Sequence, residues 1–138
     1  MSPNDTSVLG LLRQALAYHS DRQKVIAENV ANANTPGFTP SDIPMSEFDR
    51  AVSASQAGPS RVGLAVTDSG HRSGASTPAR SFTARSAPDS ETTINGNSVV
   101  LEEQMVKASE NRMRFETALS LYQKSLMLVR MAVRPPGQ

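Results

Sequence analysis

The chain has 138 residues, 14 Lys plus Arg against 13 Asp plus Glu for a net charge of +1, and no cysteine. That length fits one domain with decoration, the charge balance excludes a protein that coats nucleic acid, and the missing thiols exclude disulfide scaffolds, Cys-ligated zinc and thiol nucleophiles. Six aromatic residues cannot build a ring-rich core, and His19 and His71 are too few for a histidine metal site.

In chain order, the first element is a helix from about Val8 to Ala33. Leu9, Leu12, Leu16, His19, Gln23, Ile26, Val30 and Ala33 follow one another at steps of three and four, and Asn4 or Asp5 is placed to cap the first turn. His19 and Gln23 interrupt the apolar stripe, so the seam is expected to be partly polar there. Asn29 and Asn32, three apart, share a face near the helix end. Thr35-Pro36-Gly37 then stops the helix, because the residue before proline avoids the α region and glycine permits positive φ. Phe38 follows as an apolar anchor. Asparagine is a poor choice inside a helix unless its amide finds partners, so Asn29 and Asn32 mark a specified contact.

From Thr35 to Ser98 the composition changes. Ser, Thr, Pro and Gly make up 31 of these 64 residues, too many chain breakers for a compact sheet. Short extended pieces are expected at Val62–Val66 and Ser81–Arg85, and the rest is read as irregular.

The second flank, Val99 to Val133, has neither proline nor glycine. Leu101, Met105, Ala108, Arg112, Phe115, Leu119, Tyr122, Leu126, Val129 and Val133 alternate by four and three, and Ala118, Leu121, Ser125, Leu128 and Ala132 widen the stripe. This predicts one helix of about 35 residues and roughly 50 Å. Asn97 and Ser98 are the expected caps. Glu102 and Glu103 suit its positive end, Arg130 and Arg134 its negative end, and Pro135-Pro136 stop it.

The fold expected is therefore all-α: two long amphipathic terminal helices, paired as a coiled coil and joined by a Ser/Thr/Pro/Gly-rich irregular segment. Residues 1–34 and 99–138 form the helical core and 35–98 the middle. The seam is assigned to Leu12, Leu16, Ile26 and Val30 on one helix, and to Met105, Phe115, Leu119, Tyr122, Leu126 and Val129 on the other. Such a narrow seam predicts a marginal monomer that gains helix on assembly.

Little here suggests chemistry. His19-Ser20-Asp21 and Asp68-Ser69-Gly70-His71 hold the residue types of a serine triad, but neighbours on a helix diverge, and the second string sits in a loop with no oxyanion donor. No P-loop, GxGxxG, HExxH or EF-hand spacing occurs. Arg61, Arg72, Arg80 and Arg85 are irregularly spaced and diluted by Asp68, Asp89 and Glu91, so no nucleic-acid patch is read. The sequence points to no enzyme, no cofactor, no metal and no small-molecule substrate. No apolar run reaches 18 residues, and no basic stretch leads into an apolar one near the start, so neither a membrane span nor a cleaved signal peptide is expected.

The string Arg22 to Phe38, RQKVIAENVANANTPGF, resembles the signature shared by the bacterial flagellar axial proteins of rod and hook. At the other end, Asn95-Gly96-Asn97-Ser98-Val99, Leu101-Glu102 and the run Asn111–Ala132 resemble the small proximal-rod members. The middle segment leaves no room for the folded β domains of the larger distal-rod and hook members. A second small type typically carries a C-terminal SRAYQAN motif, which this chain lacks.

The resemblance implies a structural rod subunit in the basal body that pairs its terminal helices within the innermost tube and transmits torque. Asn29, Asn32, Thr35, Pro36, Gly37 and Phe38 would be its assembly signature. It also implies partners: other copies of the chain, neighbouring rod subunits, a membrane-ring or adaptor protein, and the flagellar export gate. A rod lies outside the inner membrane, so the chain would leave through the flagellum's own export channel. Phe48-Asp49-Arg50-Ala51-Val52 fits the Phe-xxx-apolar pattern with which early export substrates dock at the gate, placing Phe48 and Val52 there. The competing expectation is a cytoplasmic coiled-coil adaptor acting by helix–helix binding.

Overall fold

The computed structural model describes residues 3–56 and 82–133. Three helices carry the described chain: α1 (Pro3–Ala31), α2 (Met45–Gln56) and α3 (Leu101–Val133). One two-residue antiparallel pairing joins β1 (Ser41–Asp42) to β2 (Arg85–Ser86), with Ser41 opposite Ser86 and Asp42 opposite Arg85. The protein is mostly helical, and the two long helices pack on each other. They run antiparallel, since Asn29 meets Gln104 while the earlier His19 meets the later Asn111.

α1 begins at Pro3, whose fixed φ and missing N–H suit a first helical position. Asn4 and Asp5, expected as caps, lie inside the first turn instead. The helix unwinds through short backbone bonds, Ala33 to Val30 at 3.2 Å and Thr35 to Asn32 at 2.9 Å. α3 begins two residues later than expected and ends at Val133, with Arg130 in its last turn; Arg134, Pro135 and Pro136 lie outside the described residues.

The α3 seam differs in phase from the apolar stripe. Gln104, Asn111 and Ala118, each seven residues from the next, are the buried positions. Ala108, Phe115, Leu119, Tyr122, Leu126 and Val129 are half-buried alongside them, whereas Leu101 is exposed and Met105 is 65% exposed. The reason is polar pairing: Gln104 and Asn111 both find partners on α1, so they displace the nearby apolar residues from the contact. On α1, Ile26 is buried, Leu12 and Leu16 are half-buried, and Val30 is exposed.

The segment expected to be irregular holds α2. Pro44 precedes it, the Glu47 amide donates to the Pro44 carbonyl at 3.0 Å, and Glu47 places a carboxylate at the positive helix end. Met45, Phe48 and Val52 recur at helical spacing, a signal that the Ser- and Pro-rich composition conceals. The side of α1 turned to α2 carries Tyr18, which meets the rings of Phe48 at 5.6 Å and Phe82 at 5.2 Å. The Tyr18 hydroxyl donates to the Ile43 carbonyl at 2.8 Å, and Ile43 is buried. The Glu47 carboxylate accepts from Arg50 at 2.8 Å and Arg85 at 2.9 Å, tying α2 to β2. The expected extended piece Ser81–Arg85 contributes only its last residue to β2; Val62–Val66 lies outside the described residues.

Candidate assembly site

Where α1 ends and α3 begins, the two sequence signatures meet. Gly37 and Gly96 both adopt positive φ, 72° and 80°, which L side chains rarely tolerate. Their backbones touch so closely that a Cβ on Gly96 would sit 3.4 Å from Gly37 Cα. The Gly37 amide donates to the Asn95 carbonyl at 3.0 Å, and the Ser98 amide donates to the Phe38 carbonyl at 3.1 Å.

Asn97 completes this clasp. Its Nδ2 donates to the Asn32 carbonyl at 2.9 Å and the Thr35 carbonyl at 2.7 Å, and its Oδ1 accepts the Val99 amide at 2.8 Å. The side chain thereby adds a second donor to two carbonyls of the turn after α1, each of which also accepts one backbone amide. Asn97 was expected to cap α3, and it closes α1 instead. The α3 cap is Asp89, whose side chain has no exposed surface. Its carboxylate accepts the Val100 amide at 2.9 Å, Gln104 Nε2 at 2.8 Å and Lys107 Nζ at 2.6 Å. Burial alone would raise the Asp89 carboxyl, but the bonds from Lys107, Gln104 and the Val100 amide outweigh it and hold the group below its usual range.

Asn29 extends the network across the seam. It is buried, and its Nδ2 donates to the Ser41 carbonyl at 2.7 Å and to Gln104 Oε1 at 3.0 Å, while its Oδ1 accepts the Ser41 amide at 3.0 Å. A continuous polar relay therefore runs Ser41–Asn29–Gln104–Asp89–Lys107. Asn32 sits at the margin: its Nδ2 bonds the Glu28 carbonyl one turn back at 2.8 Å, and its Oδ1 accepts from Thr35 at 3.2 Å. Thr35 and Pro36 are exposed, and Phe38 is half-buried. The two asparagines thus bond within the chain.

Further along the helices lies a second polar knot. Asn111 Oδ1 lies 2.8 Å from His19 Nδ1, and its Nδ2 donates to the His19 carbonyl at 2.8 Å and to Gln23 Oε1 at 3.0 Å. Both donors of Asn111 are spent, so its Oδ1 must accept, and His19 Nδ1 carries the proton. Burial lowers the His19 pKa, offset by the Asn111 bond, and Arg114 and Arg22 push it in the same direction as burial. The knot residues His19, Gln23 and Asn111 themselves line a groove of about 760 Å³ between α1 and α3, in which Ala27, Ala108 and Phe115 supply apolar surface and Lys24 and Arg112 supply positive charge.

None of this forms a catalytic constellation. Asp21 pairs with Lys24 at 3.0 Å, and the His19 nitrogen facing α3 is taken by Asn111. Among the described residues no group of three or more His, Asp or Glu is placed to hold a metal ion. Asp68–His71, Arg61, Arg72 and Arg80 lie outside the described residues. Arg85 is paired with Glu47. Phe48 and Val52 share α2, both half-buried, with the Phe48 ring against Tyr18.

Sequence reasoning missed Asp89, Gln104, Asn111 and Tyr18. The seven-residue spacing of Gln104, Asn111, Ala118 and Ser125 was the available signal for two of them. Asp89 offers none, since a cap eleven residues before the amide it serves leaves no local pattern.

Comparison with known proteins places this architecture. A family model described as flagella basal body rod protein matches residues 11–39, all of α1 but its first eight residues and the turn that follows. The flagellar basal body rod protein FlgB of Agrobacterium fabrum (strain C58 / ATCC 33970) is 36% identical over 118 residues, covering 83% of this chain and 84% of the relative. The chain therefore belongs to the flagellar basal body rod proteins. Within that class its family is that of FlgB: the Escherichia coli (strain K12) FlgB is 29% identical over 83% of both chains, and that of Cereibacter sphaeroides (strain ATCC 17029 / ATH 2.4.9) is 27% identical over 91% of this chain and 93% of its own.

Proposed function

We propose that this chain is a non-catalytic structural subunit of the proximal rod of the bacterial flagellar basal body. It assembles with copies of itself and with neighbouring rod subunits through the α1–α3 pair, and it passes torque along that pair. Family membership carries the rod role itself. The observation that carries the rest is the clasp, in which Gly37, Asn97 and the Asn29–Gln104–Asp89 relay lock one end of the helix pair. A rotating rod loads its subunits in shear, and directional hydrogen bonds resist sliding in a way that a greasy seam does not.

The same seam suits export. Among the described residues the buried apolar side chains are Tyr18, Ile26, Pro40, Ile43 and Ala118, while His19, Asn29, Glu47, Asn97, Ser98, Gln104 and Asn111 are the buried polar ones. Polar pairs that open exchange their bonds for water at modest net cost, so the chain can be unthreaded and refolded. In this reading it passes through the flagellum's export channel without a cleaved signal. Phe48 and Val52 dock at the gate once α2 leaves Tyr18, and the membrane-ring or adaptor protein receives the first copies.

The test is composition and position. An epitope-tagged chain that restores swimming to a deletion strain should co-purify with basal bodies and label the stalk between the membrane rings. Recovery of all functional chain in the cytoplasm would favour the adaptor reading instead.

A further inference from the structure

Ile94 is placed where no single chain gains from it. It is 109% exposed, more open than in an extended peptide, yet the turn that holds it is rigidly bonded. The Gly96 amide donates to the Thr93 carbonyl at 2.8 Å, the Thr93 amide and hydroxyl both donate to the Asn97 carbonyl at 2.8 Å, and the Asn97 amide donates to Asn95 Oδ1 at 3.1 Å. The Gly37–Asn95 bond then fastens this turn to the end of α1. A β-branched apolar side chain held stiffly in water is a knob. Among the described residues the chain also carries a receptacle, the α1–α3 groove of about 760 Å³, where Ala27, Ala108 and Phe115 offer apolar surface between the polar rims of Lys24 and Arg112; it is far larger than one side chain.

We propose that the Thr93–Gly96 turn of one copy, led by Ile94, inserts into the α1–α3 groove of the next copy. The proposal rests on the self-assembly reading above. A second copy is the occupant for a geometric reason. Knob and groove lie at different places on one chain, so their contact is heterologous and repeats without exhausting itself, which is what an open helical rod requires. From Leu101 at the start of α3 to Ala108 and Asn111 in the groove lining is seven to ten residues, roughly 10–15 Å along the axis, so knob and groove sit at separate levels of the helix pair. A single inserted turn is a small contact, which fits an assembly where every subunit touches several neighbours at once.

The chain has no cysteine, so introduced pairs report cleanly. Two differently tagged copies are expressed together, one carrying Ile94→Cys and the other Ser109→Cys at the exposed rim of the groove, and isolated basal bodies are oxidised and run on non-reducing gels. The expected result is a mixed-tag dimer from this pair, and none when Met127→Cys on the outer face of α3 replaces Ser109→Cys. Alongside, Ile94→Asp should be secreted at the wild-type level while swimming is lost. A mixed dimer from the Met127 pair but none from the Ser109 pair shows copies in contact through another surface and overturns the knob. Absence of every mixed dimer, from these pairs and from a cysteine scan of both helices, in basal bodies that contain both chains overturns self-assembly and the knob together. Wild-type swimming by Ile94→Asp also overturns it.

Discussion

Replacing Asn29 with alanine removes one side chain and strands three groups. Gln104 Oε1 loses its donor in a residue with no exposed surface, so water cannot replace it. An unsatisfied buried group costs about 1–3 kcal/mol. The Ser41 amide and carbonyl also lose their partners, but Ser41 is half-buried and water reaches them, so each adds about 0.5–1 kcal/mol. Alanine's better helix propensity returns roughly 0.5 kcal/mol. The net expectation for Asn29→Ala is therefore about 1.5–4.5 kcal/mol. Asn32→Ala breaks only bonds at an accessible helix end, and should cost less than about 1 kcal/mol. Because the monomer is expected to be marginal, folding is measured by circular dichroism at 222 nm in urea with trimethylamine N-oxide present, which extends the folded baseline. Pairing Asn29→Ala with Gln104→Met removes the stranded oxygen as well as its donor, so the double variant should lose about 1–2 kcal/mol less than the sum of the singles. Additivity, or equal costs for Asn29→Ala and Asn32→Ala, would refute the assignment of Asn29 to the buried relay.

Asp89→Ala removes the α3 cap and the partner of Lys107, and should cost about 2–4 kcal/mol, whereas Asp89→Asn keeps an acceptor for the Val100 amide and should cost about half as much in the same titration. Lowering the pH should destabilise the fold in two windows. His19 stays neutral when folded, so stability begins to fall below its unfolded pKa near 6.5 as the unfolded chain takes up a proton, and His19→Gln should abolish that step. Asp89, held low by its donors, contributes stability above its unfolded pKa of about 3.8, which is lost as pH falls through its lower folded value. Gly96→Ala forces a side chain into the left-handed region and should cost about 1–2 kcal/mol in the urea titration, with export unchanged and swimming reduced. Phe48→Ala with Val52→Ala should lower the amount of chain secreted into the medium while wild-type helicity persists, and unchanged secretion would remove α2 from the export step.

The two long helices were legible because proline is absent from both flanks and apolar residues recur by three and four. The break at Thr35-Pro36-Gly37 and the positive φ of Gly37 were legible for the same local reasons. The seam of α3 was not, because hydropathy ranks Met105 above Gln104, while burial here follows hydrogen-bonding partners on the other helix. Nor was α2, whose apolar spacing is diluted by serines. The clasp joins Asn32 and Thr35 to Asn97 across more than sixty residues. Each string can be read alone as a turn, but only the fold shows that one closes the other. Asp89 lies furthest from sequence reasoning, since an isolated acidic residue in a loop carries no mark of the helix it will cap.

The central claim is that this chain builds the proximal rod, and electron cryotomography of a deletion strain tests it most directly. The account predicts inner-membrane rings with no rod above them, and restoration of rods by the wild-type gene. Complete rods in the deletion strain would contradict it.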